Sequence, residues 1–174
     1  RRQRQMCIRD RYEEMKKFIE EGRWHIAGSS WEASDVLVPS VEASIRNIML
    51  GQTYYRQEFG KEGTDIFLPD CFGFGWTLPT IAAHCGLIGF SSQKLDWRNH
   101  PFYGKSKHPF TIGLWKGIDG KQVMLAHGYD YGRKWNNEDL SKNKDLEKLA
   151  QRTPLNTVYR YYGTGDIGGS PTLG

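Results

Sequence analysis

The sequence predicts an α/β protein, folded as a β/α barrel or a layered sheet, and three observations lead there. Helical and strand-like patterns alternate at least three times along the 174 residues, the arrangement expected of helices packed on a mostly parallel sheet. The strand candidates are short apolar runs bounded by Gly or Pro. No internal repeat, low-complexity linker or shift in composition divides the chain, so it reads as one domain, long enough to bury a core.

The elements follow in order. Tyr12, Met15, Phe18 and Ile19 recur at helical spacing, which predicts a helix over 12–22 stopped by Gly22. Trp24 to Ala27 reads as a short extended stretch ending in Gly28-Ser29-Ser30. Ser40 is a good N-cap, and Glu42 lies in the first turn, where a carboxylate meets the positive end of the helix dipole. That helix runs to about Phe59, before Gly60, with Val41, Ile45, Ile48, Met49 and Tyr55 as its expected apolar face. Thr64 to Leu68 predicts a buried strand that Pro69 ends. The loop 70–76 leads into a helix from Leu78 to Cys85, closed by Gly86. Leu87–Ser91, Thr111–Trp115 and Gln122–Ala126 are further strands, the last two joined by the turn Ile118-Asp119-Gly120. Residues 138–150 predict a polar helix with Leu140, Leu146 and Leu149 facing inward. Thr157–Tyr161 would be a last strand, before a Gly-rich loop over 162–170.

Composition narrows the function classes. The net charge of +4 is carried entirely by the first eleven residues, with five Arg against one Asp. These residues, RRQRQMCIRDR, read like translated adaptor sequence and are expected to be a non-native tail. Without them the chain is neutral, which leaves no electrostatic case for nucleic acid. No apolar run approaches a membrane span and there is no signal-peptide core. Cys7, Cys71 and Cys85 form no CxxC pair, and GxSxG and P-loop motifs are absent. Six Trp, nine Tyr and eight Phe favour a core first, with flat rings available for a sugar cleft second.

Chemistry is expected at the C-terminal ends of strands, on the loops into the next helix. Asp70 stands there, directly after Ile66-Phe67-Leu68-Pro69, followed by Phe72, Phe74 and Trp76 alternating with glycines. Local context alone favours a turn aspartate capping the next helix; the other reading is a nucleophile or a ligand for a hard metal. Asp166 sits among Gly163, Gly165, Gly168 and Gly169, a surface turn or a second working carboxylate. A retaining glycosidase needs such a pair about 5–5.5 Å apart. Trp31 and Asp35 follow the first extended stretch, and Lys94 and Trp97 follow the Leu87–Ser91 strand. His127, Tyr129 and Asp130 follow the strand ending at Ala126. With Phe72, these are the candidate substrate contacts. His84 reads as helix packing, and no His pair has metal-ligand spacing.

At these residues the sequence resembles glycoside hydrolase family 38, the α-mannosidases. Gly22-Arg23-Trp24, Trp31-Glu32, Asp35, Pro39-Ser40 and Glu42 look like one run of the family, continued by Arg46, Gly51-Gln52, Tyr55 and Phe59-Gly60. Leu68-Pro69-Asp70-Cys71-Phe72-Gly73 is similar to the nucleophile motif LPDxFG, with Leu78-Pro79 after it. Phe90, Gln93-Lys94 and Trp97, then Trp115, Gly117-Ile118-Asp119-Gly120 and Val123, continue the likeness in order. It covers about residues 12–170.

The resemblance implies a distorted seven-stranded β/α barrel, with residues 12–174 forming part of the N-terminal catalytic domain, truncated at both ends. It implies a retaining exo-α-mannosidase acting on terminal α-mannosides, with Asp70 as nucleophile and ligand of Zn²⁺ or another divalent cation, and Asp166 as acid/base. The family's other metal ligands would lie upstream and downstream of this chain, so the isolated polypeptide is expected to bind metal poorly, lack activity and be unstable. A homo-oligomeric full enzyme of bacterial type, cytoplasmic or periplasmic, is the remaining expectation. The competing readings are a non-catalytic carbohydrate-binding relative and a metal-dependent polysaccharide deacetylase.

Overall fold

The computed structural model describes residues 2–96, 111–127, 140–151, 155–157 and 159. In chain order these form α1 (Arg2–Glu20), α2 (Val41–Phe59), β1 (Asp65–Phe67), α3 (Leu78–His84), β2 (Gly89–Ser92), β3 (Ile112–Lys116), β4 (Gln122–His127) and α4 (Lys144–Ala150). Short 3₁₀ turns cover Lys94–Asp96 and Leu140–Lys142. The four strands make one mostly parallel sheet, order β1-β2-β4-β3, with β3 antiparallel to β4. The resemblance implies a seven-stranded barrel; the described residues form this four-stranded sheet.

α2 begins and ends as its sequence dictates. Ser40 is extended and its Oγ accepts from the Ala43 amide at 3.2 Å, while Gly60 closes the helix at φ +63°. Its buried stripe differs from the expected one. Ile48, Gly51 and Gln52 are buried, whereas Val41 and Met49 are exposed. The cause is a backbone crossing: a Cβ at Gly51 would stand 2.2 Å from the Ser29 carbonyl oxygen, so the contact face is centred on the glycine.

Three further elements depart from expectation. α1 starts at Arg2 instead of Tyr12. Trp24–Ala27 forms no strand; the chain turns at Gly28 (φ +73°) and is tied to β1 through Asp65. There the Gly28 amide donates to Asp65 Oδ1 at 3.1 Å and Ser29 Oγ donates to the Asp65 carbonyl at 2.7 Å. Burial pushes the Asp65 carboxyl up. The helix expected over 138–150 is split, because Asn143 Oδ1 accepts from the Leu146 amide at 3.1 Å and so starts α4 afresh. Of the strand expected at Thr157–Tyr161, residues 158, 160 and 161 lie outside the described residues, and Thr157 and Tyr159 are not in a strand.

Register places the core. Ile66 pairs with Phe90 and Phe90 with Leu125, and two residues back along β4 Val123 pairs with Trp115. These side chains share one sheet face, which α3 covers with Leu78, Ile81 and Ala82. The Phe90 ring stands edge-on to both Phe74 and Trp115, each at 5.1 Å. On the opposite face Leu114 and Met124 are 67% and 52% exposed. No helix among the described residues is long and apolar enough to cross a membrane.

The β3–β4 turn is tied to α3 by Asp119. Its Oδ1 accepts from Thr80 Oγ1 at 2.9 Å and from the Lys121 amide at 3.1 Å, and its Oδ2 lies 2.9 Å from His84 Nε2. His84 is therefore an exposed hydrogen-bond partner of Asp119 and not a packing residue. Partial burial opposes ionisation of Asp119, but these hydrogen bonds outweigh it and hold the carboxyl below its ordinary value of 3.8. A lowered folded pKa contributes stability that is present above the unfolded value and lost as pH falls through the folded one. Asp119→Asn is expected to lower the denaturation midpoint near neutral pH and to remove part of the acid dependence below about pH 4. Identical midpoint-versus-pH curves for the two proteins would contradict this.

Candidate active site

Three parallel strands, β1, β2 and β4, end at one edge of the sheet. The Leu68 amide donates to the Ser91 carbonyl at 3.0 Å, carrying the pairing one residue beyond β1. Pro69 then ends it, having no N–H to give. The next residue is Asp70. Lys94 follows β2 by two residues, and His127 is the last residue of β4, paired with Ser92. An edge of this kind is where loops of α/β proteins collect ligands and reacting groups.

Two of the sequence candidates meet there directly. Lys94 Nζ lies 2.8 Å from Asp70 Oδ1, and the side chains are 17% and 56% exposed respectively. The same ammonium stands 4.9 Å from the Phe72 ring centroid, a third candidate. The Lys94 amide donates to the Oγ of Ser92, a fully buried residue, at 3.1 Å. Asp70 does not cap α3: Thr77 is the N-cap, and it makes no side-chain capping bond.

The loop carrying Asp70 is braced by the loop carrying Asp35. Asp35 Oδ1 accepts from the Leu37 amide at 2.9 Å, a tight turn that sets Leu37 over Gly73. A Cβ at Gly73 would meet Leu37 Cδ1 at 2.4 Å, so the glycine admits the contact. Cys71 Sγ donates to the Ser34 carbonyl at 3.3 Å. Burial pushes the Cys71 thiol up, and the negative charges of Asp35 and Asp70 push it the same way. Phe74 turns into the core, leaving Phe72 and Trp76 exposed on the loop.

The remaining candidates fall into two groups. His127 is buried at the strand end, and its amide donates to the Thr111 carbonyl at 2.9 Å. Trp31 lies on the α2 side, its partly exposed ring edge-on to Tyr54 at 5.3 Å. Trp97, Tyr129, Asp130 and Asp166 lie outside the described residues. Among the described residues, no group of three or more His, Cys, Asp or Glu side chains could hold a metal ion.

Residues 6–173 match the N-terminal domain of glycosyl hydrolases family 38. The chain belongs to that family. It is 35% identical over 168 residues to alpha-mannosidase G of Dictyostelium discoideum, an alignment covering 93% of this chain and 14% of that protein. The chain thus spans about one-seventh of the length of that curated relative. Its fold is similar to that of a 4-alpha-glucanotransferase from Thermococcus litoralis, with TM-score 0.66 at 12% identity, over 90% of this chain and 24% of the other. It is also similar to an alpha-mannosidase from Enterococcus faecalis V583, with TM-score 0.57 at 18% identity, over 84% and 16% respectively.

Within this family-38 chain, one bracing residue escaped the sequence reading. Asn47, in the middle of α2, exchanges two 2.9 Å bonds with the Glu32 backbone, and its carbonyl accepts from the Trp31 amide at 3.0 Å. It sets the start of the loop that carries Asp35. The available signal was an asparagine inside a helix, where it is a poor helix former and earns its place by a tertiary bond. The Cys71 environment yields a direct test. Because the thiolate is the reactive form, iodoacetamide is expected to label Cys71 more slowly in the native protein than in the urea-unfolded chain, read by mass spectrometry of its peptide. Asp35→Asn is expected to speed native labelling. Equal native and unfolded rates would contradict the assignment.

Proposed function

We propose that this chain is part of the catalytic domain of a retaining α-mannosidase in which Asp70 is the nucleophile. The observation that supports this best is the half-exposed Asp70 carboxylate at the C-terminal edge of the parallel sheet, held at 2.8 Å by a nearly buried ammonium beside the exposed ring of Phe72. A carboxylate so placed is open to a ligand on one side and restrained on the other.

In this reading Asp70 attacks the anomeric carbon of a terminal α-mannoside while a carboxylic acid protonates the departing glycosidic oxygen, giving a glycosyl-Asp70 ester. The same acid, now a carboxylate, takes a proton from water as the water attacks that carbon. The ester bond breaks, the Asp70 carboxylate is restored and the configuration is retained. Asp166 is assigned as that acid/base. Trp31, Asp35, Phe72, Trp97, His127, Tyr129 and Asp130 are assigned to contact the sugar. A divalent cation such as zinc, where present, would grip adjacent hydroxyls and orient the ring. The described residues offer it one hard oxygen donor, Asp70, and do not complete a site, so every step above runs through side chains alone. The same proposal includes an oligomeric whole enzyme, in the cytoplasm or periplasm, of which residues 12–174 are a segment.

Asp70→Ala in the full-length gene product is expected to cut aryl α-mannoside turnover by roughly 10⁴–10⁶-fold while leaving the thermal melt in place. Added azide, a small nucleophile that fits the space left by the carboxylate, is expected to restore part of it. Undiminished mannoside turnover in the variant would overturn the assignment. Release of acetate from an acetylated polysaccharide by the unaltered enzyme, without mannoside hydrolysis, would identify a deacetylase.

A further inference from the structure

We infer that Lys94 is a positioning residue for Asp70, holding one carboxylate oxygen so that the other is aimed at substrate. The inference rests on the nucleophile reading above. It also reassigns Lys94, which its place in the sequence suggested as a contact for sugar hydroxyls.

Asp70 needs such a restraint. It follows Pro69 on a loop, its side chain is 56% exposed, and it makes no helix cap. An unrestrained carboxylate there would sample several rotamers. Lys94 is the more rigid partner. Its side chain is 17% exposed, its backbone amide is bonded to the buried Ser92 at 3.1 Å, and its ammonium is held 4.9 Å from the Phe72 ring centroid. The 2.8 Å contact to Oδ1 leaves Oδ2 of the same carboxylate for attack.

Magnitudes separate a kinetic role from a structural one. An ion pair with one partner more than half exposed contributes little to folding, so its loss leaves the fold standing. By contrast, a reacting atom displaced by about 1 Å costs on the order of 10²-fold in rate. The ammonium also makes the free carboxylate a somewhat weaker nucleophile, and it favours the carboxylate again when the ester breaks. Its net effect therefore falls on turnover more than on substrate affinity.

The test compares Lys94→Met, Lys94→Arg and Asp70→Ala in the full-length gene product, with an aryl α-mannoside and a thermal melt for each. Lys94→Met is expected to lower kcat by about 10²-fold with KM changed by less than about threefold, and Lys94→Arg to recover about tenfold of that loss, because it keeps a cationic donor. Lys94→Gln carries the same comparison if the methionine variant does not fold. A raised KM with kcat unchanged would make Lys94 a sugar contact and overturn the inference, as would unchanged kinetics. An Asp70→Ala variant that still turns over would instead overturn the nucleophile reading itself, so the two failures are told apart.

Discussion

The parallel pairing of β1 with β2 is the constraint on which the other features depend. Parallel strands need a crossover, and α3 supplies it between Phe67 and Gly89. The register Ile66 to Phe90 turns both side chains toward α3, and it also brings the ends of β1 and β2 to the same edge. A slip of β1 by one residue would turn Ile66 away from the core, so burial of Ile66 and Phe90 together enforces the register. Asp70 and Lys94, 24 positions apart in the chain, meet because of it.

The loop after β1 divides its labour between alternate residues. Phe74 faces inward and joins Phe90 and Trp115, which fixes the loop to the sheet. Phe72 faces outward, its ring centroid 4.9 Å from the Lys94 ammonium. The intervening glycines admit Leu37 from the Asp35 turn. That second loop is fixed in turn by Asn47 on α2. A carboxylate on a flexible-looking segment is thus placed on a rigid base without being buried itself, a condition suited to a group that must both react and exclude alternative geometries.

Much of the fold was legible locally. Ser40 and Gly60 mark the ends of α2, Pro69 marks the end of the first strand pairing and Gly86 closes α3, because each acts through its own backbone geometry. What failed depended on partners distant in sequence. The buried stripe of α2 is set by a crossing chain at Gly51, and Trp24–Ala27 stays out of the sheet because Asp65 holds the following turn by hydrogen bonds. At the site, the strand-end position of Asp70 could be read from the run before it. Its partner could not, since Lys94 reaches it only through strand order, a long-range property. His84 shows the same limit: its helix position suggested packing, but Asp119 arrives from the β3–β4 turn. Family membership adds what no periodicity carries, a relationship to known glycosyl hydrolases over residues 6–173.

The most direct measurement is covalent trapping. The full-length gene product would be incubated with a fluorinated mannosyl fluoride, whose electron-withdrawing fluorine slows ester breakdown more than ester formation. Proteolysis and mass spectrometry would then locate the added sugar. The account predicts a mannosyl adduct on the carboxylate of Asp70, forming as activity is lost. An adduct on another residue, or inactivation-free turnover with no adduct at all, would contradict it.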